Sequence, residues 1–309
     1  MRALALAASI LLGAAAIAAA PSHARAEPMS YGQFQKLEQP RATLRIAYGR
    51  DPNQFGELWL PKGQGPFPAV VMIHGGCWTA SVAGLGIMNL AAQDLALRGV
   101  AVWNIEYRRV DQPGGGYPGT FQDVAAAVDR LRAIARKHRL KLDRLVAVGH
   151  SAGGHLALWA AARPRLPMTS PLRTGDPLPI QAVVSVAGLA DLQALQAPGS
   201  QGCGPEPIHP LIGETGRARR NVFADTSPAA LEPFRARQLS IHGELDRIAP
   251  VAVGRAFTDK ARAAGADAEL VVEAGAGHFE LITPGTPAWD DIARRIEAMA
   301  KAPGARAPG

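Results

Sequence analysis

Six apolar-rich runs recur along this chain, most of them separated by stretches with helical spacing. The runs are Ala69–Ile73, Val100–Ile105, Leu145–Val148, Ala182–Val186, Gln238–Ile241 and Glu269–Val272. Runs that lack polar–apolar alternation belong to strands buried on both faces. Between and after them, residues 85–97, 121–138, 155–163, 251–264 and 289–300 carry apolar side chains three and four apart, the helical period. Alternation of strand and helix predicts an α/β chain with a mostly parallel central sheet covered on both faces by helices. Upstream, Thr43–Tyr48 alternates like an exposed strand and reads as a hairpin with Phe55–Leu60, which gives the sheet an antiparallel N-terminal edge. Residues 27–40 are polar and read as a surface arm or a short helix.

The third of the runs leads directly into Gly149-His150-Ser151-Ala152-Gly153, a G-x-S-x-G pattern, and the helix formers of residues 154–162 follow. Strand, sharp turn and helix in that order is the layout of a nucleophile elbow. Such a turn holds a serine in a strained conformation with its hydroxyl raised, and glycines two before and two after it prevent clashes. The same five residues would also make a plain small-residue turn. What separates the two readings is whether the chain supplies a base, an acid and oxyanion donors, because serine is a poor nucleophile without them.

In this architecture the acid and the histidine come later in the chain, each just after a strand. After the run ending at Ile241, Asp246 sits in a loop that leads toward a helix, so it is either the orienting acid or a helix cap. Glu244 and Asp191 are rival acids in similar loops. After the last run, the glycine-rich Ala274-Gly275-Ala276-Gly277 brings His278, free to turn its ring toward a serine. The oxyanion donors belong to the amide after the nucleophile, Ala152, and to the loop His74-Gly75-Gly76-Cys77-Trp78, where Gly76 and Cys77 are the candidates. His74 reads as a brace for that loop, and Cys77 as nucleophile is the competing idea. Glu106-Tyr107-Arg108-Arg109 reads either as a polar wall with a substrate-anchoring arginine or as a buried ion pair that fixes the following glycine loop.

The order Ser151, Asp246, His278 on alternating strands and helices resembles the α/β-hydrolase superfamily. His74-Gly75-Gly76-Cys77-Trp78 is similar to the HGGxW signature of the arylformamidase (kynurenine formamidase) and related esterase/lipase branch. Cys77 departs from the HGGG of the hormone-sensitive-lipase-like group. The resemblance spans roughly residues 40–300. It implies an α/β-hydrolase fold, no cofactor and hydrolysis of an ester, with formamide or amide cleavage as the nearest alternative. A relative that binds a ligand or partner without catalysis is the alternative of another class. It would typically lack a triad member, and all three are present.

At 309 residues the chain has room for one large domain. Met1-Arg2, the apolar run of residues 3–20 and Ala24-Arg25-Ala26 have the layout of a cleaved signal peptide over 1–26, which implies export to the periplasm or outside the cell. Removing it takes Arg2 and Arg25 and lowers the formal charge from +7 to +5. The remaining basic residues are scattered and form no stripe with interleaved aromatics, so nucleic acid is not an expected partner. Neither is a membrane once the signal is cleaved. A small-molecule ester or amide is the expected partner. Residues 27–309 read as a single domain, in which 164–179 and 197–233 are irregular segments placed as a small cap or rim, and 302–309 as a disordered tail. Cys77 and Cys203 are the two cysteines. They are either free thiols or, in an oxidising compartment, one bridge that would tie the 197–233 segment to the oxyanion loop. No Cys/His cluster has zinc spacing, so no metal is expected.

Overall fold

The computed structural model describes residues 27–197 and 200–302. The signal-peptide reading of 1–26, and the tail beyond Ala302, lie outside them. Eight strands form one sheet: β1 (Leu44–Ala47), β2 (Phe55–Trp59), β3 (Phe67–Ile73), β4 (Ala101–Ile105), β5 (Leu140–His150), β6 (Ala182–Val186), β7 (Arg237–Gly243) and β8 (Ala268–Glu273). Their order is β1-β2-β4-β3-β5-β6-β7-β8. The β1–β2 and β2–β4 pairings are antiparallel and the rest parallel, so the expected hairpin forms the sheet's edge. The longer helices are α2 (Asn89–Leu97), α3 (Gly119–His138), α4 (Ala152–Ala162), α8 (Val251–Ala263) and α9 (Pro287–Lys301). Four short ones complete the α-helices among the described residues: α1 (Tyr31–Phe34), α5 (Leu192–Leu195), α6 (Ile208–Ile212) and α7 (Pro228–Leu231).

Most of the apolar runs form strands because their side chains have somewhere dry to go on both sides; the exception is Glu269–Val272, which lies in the edge strand β8 and is only partly buried, with Val272 exposed. Every residue of β4 and β6 is buried, as are Ala69–Ile73 of β3 and Leu145–His150 of β5. Helix α4 is buried at all eleven of its positions, as expected of a helix that is apolar all round and packed inside the molecule. Trp78, Trp103, Trp159 and Trp289 are fully buried. Burial of side chains such as Leu156 and Leu158 contributes on the order of 2 kcal/mol each. The amphipathic α3, α8 and α9 each bury one stripe.

Strand register places the site. Ile73 of β3 is level with Gly149 of β5, His150 with Val186 of β6, Val186 with Ile241 of β7, and Gly243 with Glu273 of β8. The loops after β3, β5, β7 and β8 therefore leave the same edge of the sheet. They carry residues 74–78, Ser151, Asp246 and His278.

One expectation is corrected by this topology. Residues 164–179 do not follow a strand. They leave the C-terminal end of α4, about 16 Å along the helix from Ser151, and lead into the start of β6 at the opposite edge of the sheet. There Asp176 meets Arg132 of α3, and Thr174 meets Arg163 at the end of α4. That segment is no cap over the serine. Residues 197–233 do follow the correct end of β6, and Cys203 within them is bonded to Cys77.

Candidate active site

Ser151 stands between β5 and α4 at φ 55° and ψ −122°, a conformation L-residues avoid and one that costs on the order of 1–3 kcal/mol. Its amide donates to Val186 O at 2.8 Å, and its carbonyl accepts from the Gly154 amide at 2.8 Å. The flanking glycines are needed for space rather than for torsion. A Cβ on Gly149 would lie 2.0 Å from Gly153 O, and one on Gly153 would lie 2.1 Å from Ile73 O. The clash avoided is with backbone, so neither position tolerates a side chain. Ser151 is 3% exposed.

His278 Nδ1 is 2.7 Å from Asp246 Oδ2. The other carboxylate oxygen of Asp246 accepts from the Ile248 and Ala249 amides at 2.7 and 2.9 Å. The two readings of Asp246 are thus both satisfied, one oxygen bracing the turn before α8 and the other facing the histidine. Burial raises the Asp246 pKa, but the histidine and the two amides outweigh it and hold the carboxyl below its ordinary range. The rival acids are engaged elsewhere. Asp191 caps α5 and pairs with Lys260, and Glu244 accepts from the Gly275 amide. His150 braces the histidine from below. Its ring lies 4.4 Å from that of His278, and its Nε2–H donates to the His278 carbonyl at 3.1 Å. Burial, followed by the neighbouring His278, pushes the His150 pKa well below that of a free imidazole.

The loop after β3 holds three successive residues in the left-handed region: Gly76 at φ 106°, Cys77 at 51° and Trp78 at 56°. No hydrogen bond within the described residues engages the Gly76 or Cys77 amide. Ala152 opens α4, where the first amides have no partner inside the helix. Several ties hold this strained run. His74 faces Gly75 O at 2.7 Å and Glu106 Oε1 at 2.9 Å, and its ring stacks on Tyr107, whose hydroxyl donates to His74 O. Glu106 also accepts from Leu85 N and pairs with the buried Arg109. Burial pushes the Glu106 carboxyl up, yet His74, Arg109 and the Tyr107 amide together hold it at about 2. Arg109 donates to Ala83 O, so it is a brace and not a substrate anchor, while Arg108 pairs with Asp123.

Two further ties hold this loop, the first with no local signal in the sequence and the second one of the two readings of the cysteines. Trp78 Nε1–H donates to His155 Nδ1 at 3.2 Å, and the Nε2–H of His155 donates to Thr226 O at 2.8 Å. The disulfide Cys77–Cys203 spans 126 residues. A bridged sulfur has no thiolate, which removes Cys77 as a nucleophile.

Ser151, His278, Gly76 and Cys77 meet around a pocket of about 140 Å³. Its other walls are His150, Tyr31, Val82, Ala83, Ile87, Ile248 and Phe279. Of its lining residues, none comes from 164–179 or 197–233. Tyr31 comes instead from the N-terminal arm, which no local pattern marks as part of a site. A strained serine, a carboxylate-bound imidazole and free backbone amides around one cavity are the elements of acyl transfer.

The BD-FAE family model matches residues 57–261, about two thirds of the chain. Esterase LipC of Mycobacterium tuberculosis is 28% identical over 251 residues, which cover 77% of this chain and 60% of LipC. Isoprenylcysteine alpha-carbonyl methylesterase ICME of Arabidopsis thaliana is 26% identical over 82% of this chain and 59% of its own. The chain thus spans less than two thirds of the length of these curated relatives. Among solved structures, a truncated carbohydrate esterase from gut microbiota superposes with a TM-score of 0.69 at 23% identity, covering 86% of this chain and all of that one. An inhibited esterase B from Lactobacillus rhamnosis gives 0.71 at 19% identity over 87% of this chain and 91% of its own. These likenesses place the fold in the α/β-hydrolase esterase/lipase superfamily.

Proposed function

The chain belongs to the BD-FAE family, and from that premise we propose that it is an exported serine hydrolase that cleaves carboxylic esters through an acyl-enzyme. The observation that carries this reading is the convergence of Ser151, His278 bound to Asp246, and the free Gly76 and Cys77 amides on one pocket. Relatives described as an esterase and a methylesterase support it. The disulfide supports export, since such bridges persist in oxidising compartments.

In the first step Ser151 Oγ attacks the acyl carbon and His278 Nε2 takes its proton. Negative charge on the carbonyl oxygen meets the amides of Gly76, Cys77 and Ala152. Collapse of the tetrahedral intermediate expels the alcohol, which leaves with the proton from His278. Water then enters as nucleophile, its proton goes to His278, and the acid departs as Ser151 Oγ is reprotonated. Asp246 fixes the imidazole tautomer with Nδ1–H toward itself and offsets the imidazolium charge.

The HGGxW-like loop keeps formamide cleavage as the competing reading. Rates on p-nitrophenyl acetate and butyrate set beside N-formylkynurenine test the two. Ester turnover that is lost in Ser151→Ala supports the proposal. Faster turnover of the formamide would replace it with an arylformamidase, and no turnover of either by folded protein would refute a hydrolase.

A further inference from the structure

The N-terminal arm is built into the catalytic edge. Tyr31 donates its hydroxyl to Val82 O at 2.8 Å, reaching from α1 across the pocket to the loop after β3. Its ring stacks on Phe279 with centroids 5.3 Å apart, and Phe34 stacks on Phe279 at 5.5 Å. Phe279 directly follows His278. The Met29 amide donates to Glu280 Oε1, while Glu280 Oε2 accepts from the Gly277 amide at 3.1 Å. Pro28 lies against Gly277, where an added Cβ would sit 2.5 Å from it. One carboxylate therefore joins the arm to the loop that carries His278.

The space this leaves is small and apolar. About 140 Å³ is close to the roughly 150 Å³ of a cavity that takes benzene, hence to an apolar group of about six heavy atoms. Beyond the serine, the two histidines and the backbone of residues 76–77, the walls are Tyr31, Val82, Ala83, Ile87, Ile248 and Phe279. Val82 and Ile248 are 45% and 36% exposed, so the mouth of the pocket is apolar as well. The lining offers no Lys, Arg, Asp or Glu side chain to a charged substituent.

We propose that Tyr31 is the specificity-determining wall of this site, limiting the ester arm beside Ser151 to an uncharged apolar group of about six carbons. The proposal rests on the ester-hydrolase reading above and deepens it. Truncating Tyr31 removes both the ring that closes the pocket and the tie to Val82, and opens the cavity toward solvent under α1. Each methylene newly buried is worth about fourfold in kcat/KM.

The test compares the wild type with Tyr31→Ala on two series. One is p-nitrophenyl acetate, butyrate, hexanoate and octanoate, in which the acyl arm varies. The other is ethyl, butyl, hexyl and octyl acetate, in which the alcohol arm varies. In the wild type, kcat/KM falls beyond about six carbons in one series. In Tyr31→Ala, the eight-to-four-carbon ratio in that series rises at least tenfold, and the series affected identifies the arm that occupies the pocket. Tyr31→Phe, which keeps the ring, holds the wild-type ratio, and Tyr31→Leu gives an intermediate one should the alanine variant fold poorly. Unchanged ratios in both series for a variant with the wild-type melting midpoint overturn the role of Tyr31 and leave the hydrolase reading intact. Failure of the wild type to turn over any of these esters overturns the hydrolase reading itself.

Discussion

Replacing Cys203 with serine separates the two services the disulfide performs. The bridge closes a loop of 126 residues, and the chain-entropy relation gives a stabilisation of about 5 kcal/mol for a loop of that size. In a domain this large each kcal/mol moves the melting midpoint by about 2 °C, so Cys203→Ser is expected to melt about 10 °C lower. The second effect is on chemistry. Cys77 and Trp78 occupy the left-handed region at a cost of roughly 1–3 kcal/mol each, and Cys77 is held there partly by its sulfur. Other ties remain: Thr79 Oγ1 to Cys77 O, the Val110 amide to Trp78 O, and Trp78 to His155. Outright loss of one oxyanion donor costs 10²- to 10³-fold in kcat. With these ties left, misalignment of the Cys77 amide is expected to lower kcat by about tenfold, with little change in KM. Thermal melting followed by circular dichroism and initial rates on p-nitrophenyl butyrate, both without reductant, read the two effects. A midpoint drop below about 3 °C would refute the loop argument. An unchanged kcat with the expected drop would show that the bridge does not position the oxyanion loop.

Other expectations follow from single contacts. Asp246→Asn keeps an oxygen for the Ile248 and Ala249 amides but presents an N–H to His278, fixing the wrong tautomer. Steady-state kinetics should show kcat down about 10⁴-fold with the fold intact. Burial holds His155 at about 4, below the 6.5 of a free imidazole. Its contribution to stability is therefore complete above pH 6.5 and is lost as pH falls from 6.5 toward 4, where the unfolded chain takes a proton that the folded one refuses. The loss is about 3 kcal/mol. Urea titrations at pH 7, 5.5 and 4.5 should show this slope, and His155→Gln should make it shallower, the part due to the buried His150 and His242 remaining. Gly153→Ala places a methyl 2.1 Å from Ile73 O and should destabilise by more than about 4 kcal/mol, seen as insoluble expression or a collapsed urea midpoint.

The centre of the sheet was legible because β3 to β7 bury most of their residues, which leaves short apolar runs bounded by turns, whereas the edge strand β8 is only partly buried and its Val272 is exposed. Strand β5 begins earlier than its apolar run, because Leu140–Arg144 at its start is mostly outside the core and alternates. Ser151, Asp246 and His278 could be found because each follows a strand at the same edge, so chain order and strand order carry the geometry. Position 31 was not legible as a pocket wall. Its partners Val82 and Phe279 lie 51 and 248 residues away, and nothing near Tyr31 encodes either distance. The misplacement of 164–179 has a similar origin. Composition marks the segment as irregular, but the edge of the sheet it occupies depends on leaving a helix rather than a strand. His155 reads locally as one more residue of a buried helix. Its role comes from Trp78 and Thr226, brought to it from elsewhere in the chain.

The central claim is that Ser151 is a nucleophile activated by His278. Its most direct test is intact-protein mass spectrometry after exposure to a fluorophosphonate, with wild type, Ser151→Ala and His278→Ala compared as folded proteins. The account predicts one phosphonyl adduct on the wild type, mapped to Ser151, none on Ser151→Ala, and labelling of His278→Ala slowed at least a hundredfold. An unlabelled wild type, or equal labelling of Ser151→Ala, would contradict it.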